Sequence, residues 1–186
     1  MTTLKPSKGL LLVAEPSIIG DVSFNRSVVL LAEYTKNGSV GFILNKPLQY
    51  KLRDFVPEIN SKLPVFNGGP VEQDNLYFIH CIPDIIPDSI EISNGIYWGG
   101  DFSAIVDLLR DDKLTKDQIR FFLGYSGWES DQLEQELEVN SWVVVPNDYS
   151  NKIIGKTNIN FWKEKMIEFG GDYILWSNAP ENPSFN

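Results

Sequence analysis

Arg26-Ser27-Val28-Val29-Leu30-Leu31-Ala32-Glu33-Tyr34-Thr35 runs through Lys36-Asn37-Gly38-Ser39 into Val40-Gly41-Phe42-Ile43-Leu44. The first segment reads as a strand rich in Val and Leu, and the last as its returning partner. Between them, Asn37-Gly38 suits a tight hairpin turn, because both residue types tolerate positive φ. Asn45-Lys46-Pro47 ends the pair, since proline has no N–H for a continuing ladder.

Outward from this hairpin, short apolar runs alternate with Gly, Pro and Asn turn signals. Gly9 to Ala14 reads as a buried strand, and Pro16 and Gly20 bracket a loop. Downstream, Lys51 to Ile59 holds a short helix interrupted by Pro57. Pro64-Val65-Phe66, Leu76 to Cys81, Ile119 to Leu123 and Trp142 to Val145 read as strands. So do Ile90-Glu91-Ile92 and Ile96-Tyr97-Trp98, around an Asn94-Gly95 turn. Phe102, Ile105, Val106 and Leu109 fall at i, i+3, i+4 and i+7, one apolar helix face. Ser130 is placed to cap a helix running through Glu138. Ile159, Trp162, Met166 and Phe169 form a last amphipathic helix ended by Gly170-Gly171, with Tyr173 to Trp176 as a final strand. Hairpins adjoin helices without a steady βαβ alternation, so the expected class is α+β.

The chain has 186 residues, which fits a single domain over 1–186. Hydrophobic residues make up 42% and charged residues 22%, a balance that excludes a disordered chain. Apolar runs such as Gly9 to Ala14 fall far short of the roughly 18 residues of a membrane span, so no membrane association is expected. Sixteen Lys and Arg against 25 Asp and Glu give a net charge of −9, which opposes direct binding to nucleic-acid phosphates. The balance is uneven: Lys5, Lys8, Arg26, Lys36, Lys46, Lys51 and Arg53 gather in the N-terminal third. They are dispersed enough to read as solvated surface, with a basic patch as the alternative. One cysteine excludes an internal disulfide, and Met1 to Pro6 lack the features of a secretion signal. A cytoplasmic location is the resulting expectation.

Motifs that would carry chemistry are few. There is no G-x-G-x-x-G and no P-loop; Gly68-Gly69-Pro70 is the nearest glycine-rich element. His80 is the only histidine and Cys81 the only cysteine; adjacent on one strand, they point to opposite faces and cannot share an ion or form a dyad. No zinc-type spacing is present, so neither a metal nor a cofactor is expected, although oxygen-ligand cation sites carry no diagnostic spacing. Ser126, in Gly124-Tyr125-Ser126-Gly127-Trp128, resembles a nucleophile elbow only loosely, because the second glycine comes one position early. No catalytic residue is therefore expected. Glu129 to Glu138 reads as the wet face of a helix.

A rival reading gathers Arg26, Asn45, Gly68, Gly69 and His80 into one ligand site. There Arg26 would grip an anion bidentately, the glycine amides would line its oxygens, and Asn45 would orient it. The plainer reading makes Asn45 a turn cap, Arg26 a partner for one of the many carboxylates, the glycines a structural turn, and His80 a satisfied core residue. Trp98, Trp128 and Trp142 read either as core or as an oligomer interface.

Several separated motifs resemble those of the bacterial YqgE/AlgH family. They are Leu12 to Pro16 with Phe24 and Arg26-Ser27-Val28; Gly38 to Pro47; Phe66 to Val71; Phe78-Ile79-His80; and Arg120 to Trp128 with Gln132, Leu133, Glu136, Asn140 and Trp142. They span about 8–146, leaving a C-terminal helix and tail over 147–186; Trp176 to Pro183 resembles a tail of Bacteroidetes-type members. Tyr34 stands where the family often has a histidine. The resemblance implies an α+β fold with a twisted, partly closed pseudo-barrel sheet, mixed or antiparallel, and several flanking helices. It brings a common label of transcriptional regulator, but no settled activity, substrate or cofactor. The leading expectation is a non-catalytic module that binds a protein or small-molecule partner and affects transcription indirectly.

Overall fold

The computed structural model describes residues 4–18 and 21–180. Its strands are β1 (Leu11–Ala14), β2 (Val28–Thr35), β3 (Gly38–Ile43), β4 (Pro47–Lys51), β5 (Pro64–Asn67), β6 (Val71–His80), β7 (Ile90–Ser93), β8 (Ile96–Trp98), β9 (Ile119–Glu129) and β10 (Trp142–Val145). The α-helices are α1 (Val106–Arg110), α2 (Gln132–Glu138), α3 (Phe161–Phe169) and α4 (Tyr173–Asn178). The main path of the sheet runs β10-β1-β2-β3-β9-β6-β8-β7. On a branch, β4 pairs antiparallel with β5, which joins β9 as the one parallel pair among the described strands. The class is α+β, as the hairpin pattern implies. The path is open at both ends, yet the sheet curls: β7 at one end contacts β2, and Gly9 lies against Ser93 so closely that a Cβ there would fall 2.4 Å from the serine Cβ.

β9 organises the interior. It pairs with β3 through Gly127 and Trp128, with β5 through Phe121 to Leu123, and with β6 along much of its length. Alternate side chains of a strand face opposite sides. Phe122, Phe66 and Ile79 therefore enter one apolar core, with β1, β2, β3, β10 and α3. Phe121, Val65 and Phe78, their immediate neighbours, enter a second core with Leu52, Ile105 and Leu109. Strands buried on both faces read as continuous apolar runs, which is why Phe121 to Leu123 shows no polar alternation.

The hairpin forms, but its turn lies one residue earlier than the Asn-Gly pair suggests. Thr35 pairs with Gly38, so Lys36 and Asn37 make the turn, and neither has positive φ. Gly38 opens β3 at φ 138°, where a Cβ would lie 2.5 Å from the Trp128 carbonyl oxygen. At the second Asn-Gly, Asn94 (φ 51°) and Gly95 (φ 77°) do both turn left-handed between β7 and β8.

Other departures are local. Lys51 to Ile59 holds only a 3-10 turn, Leu52–Asp54, after the unforeseen strand β4. Asp131, not Ser130, stands at the start of α2; the Ser130 hydroxyl instead donates to the Lys36 carbonyl at 2.9 Å. Tyr173 to Trp176 is helical, following Gly170 and Gly171 at φ 72° and 52°. β6 and β9 are longer than read, because Gly124 (φ 67°) carries an irregular register through Val71–Tyr125. Gly20, Met1 to Thr3 and the tail from 181 lie outside the described residues. Among the described residues, no helix is long and apolar enough to cross a membrane.

Candidate functional site

Arg26 and Asn45 stand just outside the paired ends of β2 and β3, so the hairpin itself brings them together. The Asn45 amide donates to the Arg26 carbonyl at 2.8 Å and accepts from the Val28 N–H at 2.9 Å. A side chain with donor and acceptor on one short, planar group suits that double task. It clamps Arg26 in the left-handed conformation, φ 55°.

From there the Arg26 guanidinium lies over the Trp162 ring, 5.1 Å from its centre. Its Nη2 donates to the carbonyls of Ala179 and Pro180, at 2.8 Å each. Trp162 is fixed from α3, its indole N–H donating to the Ala14 carbonyl at 2.7 Å. The Tyr173 hydroxyl ties α4 to Glu15 at 2.7 Å. That bond and partial burial push the phenol up to about 12.

Between these parts opens a cavity of about 390 Å³. Arg26, Lys46 and Lys163 line it with Asn25, Asn45 and Asn160, and no carboxylate stands among its described lining residues. Lys46 reaches across to the Ser23 carbonyl at 2.6 Å.

Gly68, Gly69 and His80 do not line this cavity. Both glycines are buried where the chain leaves β5 and crosses β9. A Cβ on Gly68 would lie 2.2 Å from the Gly124 carbonyl oxygen, and one on Gly69 (φ 150°) 2.3 Å from the Tyr125 carbonyl. Their amides are engaged: Gly68 N–H donates to Leu123 O at 2.8 Å, and Gly69 N–H to Asn67 Oδ1 at 3.0 Å. The Gly68 carbonyl accepts from the Ile43 N–H and from the Ser126 hydroxyl, each at 3.0 Å. Ser126 is thus a buried strand residue, without the sharp strand-to-helix turn of an elbow.

His80 is fully buried between Phe78 and Tyr97. The Ile82 N–H donates to Nδ1 at 3.2 Å, so Nε2 carries the proton and faces the Gly99 carbonyl at 3.2 Å. Burial lowers its pKa below the ordinary histidine value, which favours the neutral ring. Cys81 points its sulfur toward the carbonyls of Asp117 and Gln118 instead, and burial pushes the thiol up, away from the reactive thiolate. Among the described residues, no group of three or more His, Cys, Asp or Glu side chains is placed to hold a metal.

Some residues carry more than their sequence context suggests. Arg120 sits inside apolar β9, 2% exposed, its guanidinium over the Phe66 ring and donating to Ile154 O at 2.8 Å and Leu44 O at 3.0 Å. Burial lowers it to about 9, still cationic at neutral pH. A charge within an apolar strand was the available signal. Tyr34 donates to Glu134 at 2.5 Å, joining β2 to α2. Trp128 and Trp142 are buried, both indoles donating to Glu136 at 2.9 and 2.7 Å, and Trp98 packs against the first core. Lys163 and Trp162 gave no signal as site residues, because their place depends on how α3 packs.

Comparison with known proteins places this architecture. A solution structure of the AlgH protein from Pseudomonas aeruginosa matches with a TM-score of 0.71 over 97% of this chain and 98% of that one, at 21% identity. A crystal structure of protein DIP2367 from Corynebacterium diphtheriae matches with the same TM-score over 96% and 95%, at 23% identity. UPF0301 proteins of Bacteroides fragilis and Bacteroides thetaiotaomicron are each 40% identical over 183 residues, 97% of this chain and 92% of theirs. The family model described as AlgH-like matches residues 11–174, and the chain belongs to that family.

Proposed function

We propose that this chain is a non-catalytic binding module and that its ligand or partner engages the cavity beside Arg26. One contrast carries the reading. The side chains that would do chemistry are taken up internally: His80 by Gly99 and Ile82, Ser126 by Gly68, Cys81 by the carbonyls of Asp117 and Gln118. The cavity at the open end of the β2–β3 hairpin, by contrast, presents polar and cationic groups to its interior. Its size falls in the range of small-molecule sites. The net charge of −9 opposes duplex DNA, so an influence on transcription would run through the bound partner.

A thermal-shift screen of metabolites tests the proposal, since a ligand that binds only the folded state raises Tm. We expect at least one compound to stabilise the protein but not its Lys163→Glu variant. Turnover of a metabolite, abolished by replacing one polar side chain, would overturn the non-catalytic reading.

A further inference from the structure

The chemistry of the cavity narrows its ligand, on the premise that the cavity binds one. In a chain of net charge −9, Arg26, Lys46 and Lys163 converge on one space without a carboxylate among the described residues lining it. The Lys163 side chain has no hydrogen bond or ion pair among the described residues. It also stands in the first turn of the nine-residue α3, where the positive end of the helix disfavours a cation. Asn160, at the start of that helix, lines the cavity as well. The acid of the same turn, Glu164, is paired with Lys156 at 2.7 Å and does not line the cavity, so on the cavity side Lys163 and the helix end add their positive potentials.

The state of Arg26 selects among anions. A planar carboxylate is gripped best by two parallel N–H groups. Both such edges of a guanidinium include Nη2, one with Nε and one with Nη1. The Nη2 of Arg26 has two hydrogens, and the carbonyls of Ala179 and Pro180 take them. The bidentate grip expected of this arginine is therefore closed by the Ala179 and Pro180 carbonyls. What remains is single donors from Nε and Nη1, the Lys163 ammonium as a point charge, and the Asn25 and Asn160 amides. Scattered single donors around a net positive charge suit a tetrahedral oxyanion. We infer that the cavity, about 390 Å³ in all, takes the phosphate group of a small phosphate monoester, with its remaining space holding the organic part.

Inorganic phosphate is the first probe, titrated into the full chain at constant ionic strength, with chloride and acetate as matched anions. Binding is read by Tm and by 31P NMR line width. We expect phosphate to raise Tm above the chloride control, and acetate not to. Lys163→Glu should weaken phosphate at least about tenfold, the loss of one hydrogen bond to a charged group. That variant places an acid in the first helical turn, where it is tolerated; Lys163→Gln serves if it does not fold. Lys152→Glu, on an exposed residue outside the cavity, should bind phosphate as the parent does. A short duplex DNA at physiological salt separates the two sources of phosphate, and we expect it not to bind. Acetate binding equal to phosphate, an unchanged phosphate response in both Lys163 variants, or submicromolar DNA binding would each overturn the inference. Lys163-dependent binding of some other class of compound, with no phosphate response, would overturn the phosphate assignment alone. No Lys163-dependent binding at all would remove the binding-module proposal with it.

Discussion

The corner at Arg26 and Asn45 and the strip at Gly68, Gly69 and His80 are made of similar material: short motifs of polar residues and glycines at strand ends. They differ in where the polar atoms point. In the strip every named N–H and ring nitrogen meets a partner from the same chain. In the corner, the backbone is clamped by Asn45, while Lys163 and part of the Arg26 guanidinium stay available to the cavity. Buried polar groups must be satisfied internally, whereas groups at a cavity can await a ligand. Residue type alone does not separate the two cases; the partner list does.

The largest effect expected from this contrast is at Gly69. An added Cβ would meet the Tyr125 carbonyl at 2.3 Å and the Ser126 nitrogen at 2.4 Å, and both are backbone atoms that cannot swing aside. With φ at 150°, the side chain is strained besides. Together, overpacking and backbone strain give a loss of about 3 kcal/mol or more for Gly69→Ala in urea denaturation. Gly95→Ala is the matched control, since its φ of 77° is also left-handed but its Cβ would meet nothing nearer than 3.7 Å. That variant should lose only about 1–2 kcal/mol, the cost of the left-handed conformation. If the two variants lose the same, close chain approach is not what the strip is built on.

At the corner, Asn45→Ala should cost about 2 kcal/mol, because it strands the Val28 N–H beside a buried strand. Asn45→Asp keeps that acceptor, loses the donor to the Arg26 carbonyl, and should cost less. Denaturation midpoints measure both. A neutral Asn45→Ala would mean that Arg26 keeps its left-handed backbone without the clamp, and the corner would then be held by Trp162, Ala179 and Pro180 instead.

How much of this could be read from the residues alone follows the range of the interactions. That Arg26 and Asn45 meet is a consequence of one hairpin, whose two strands were legible because Val28 to Ala32 and Val40 to Leu44 are apolar and lie close in sequence. The exact turn was not legible. Asn37-Gly38 and Asn94-Gly95 are the same dipeptide, but Gly38 is held against the Trp128 carbonyl by pairing with β9, far away in the sequence. Arg120 showed itself only as a charge in an apolar run; its acceptors, Leu44 and Ile154, come from distant segments. Trp162 was legible as part of a helix face, not as a cavity wall, because nothing local says that α3 docks beside β1; Lys163 gave no signal for the same reason. Tyr173 to Trp176, expected as a strand, is helical for a related reason. A short apolar run after two glycines suits a strand or a helix equally, and packing against α3 decides it.

The smallest effect is also the most selective. His80 is the only histidine, so its titration has no competitor of its own kind. Burial holds its pKa below 6.5 in the folded chain, while the unfolded chain titrates near 6.5. Below that pH the unfolded state binds a proton that the folded state refuses, and stability must fall as the pH drops toward the folded value. Above it the contribution is fully present. His80→Gln keeps an acceptor for the Ile82 N–H and a donor for the Gly99 carbonyl but cannot titrate. Its Tm should therefore lack the part of the parent's decline that lies between pH 6.5 and about 5, above the range where ordinary carboxylates dominate. An identical decline in both proteins would mean that the ring accepts its proton in the folded state as readily as in the unfolded one. The strip would then hold a group able to ionise in place, and the division between an internally satisfied strip and an available corner would lose its firmest member.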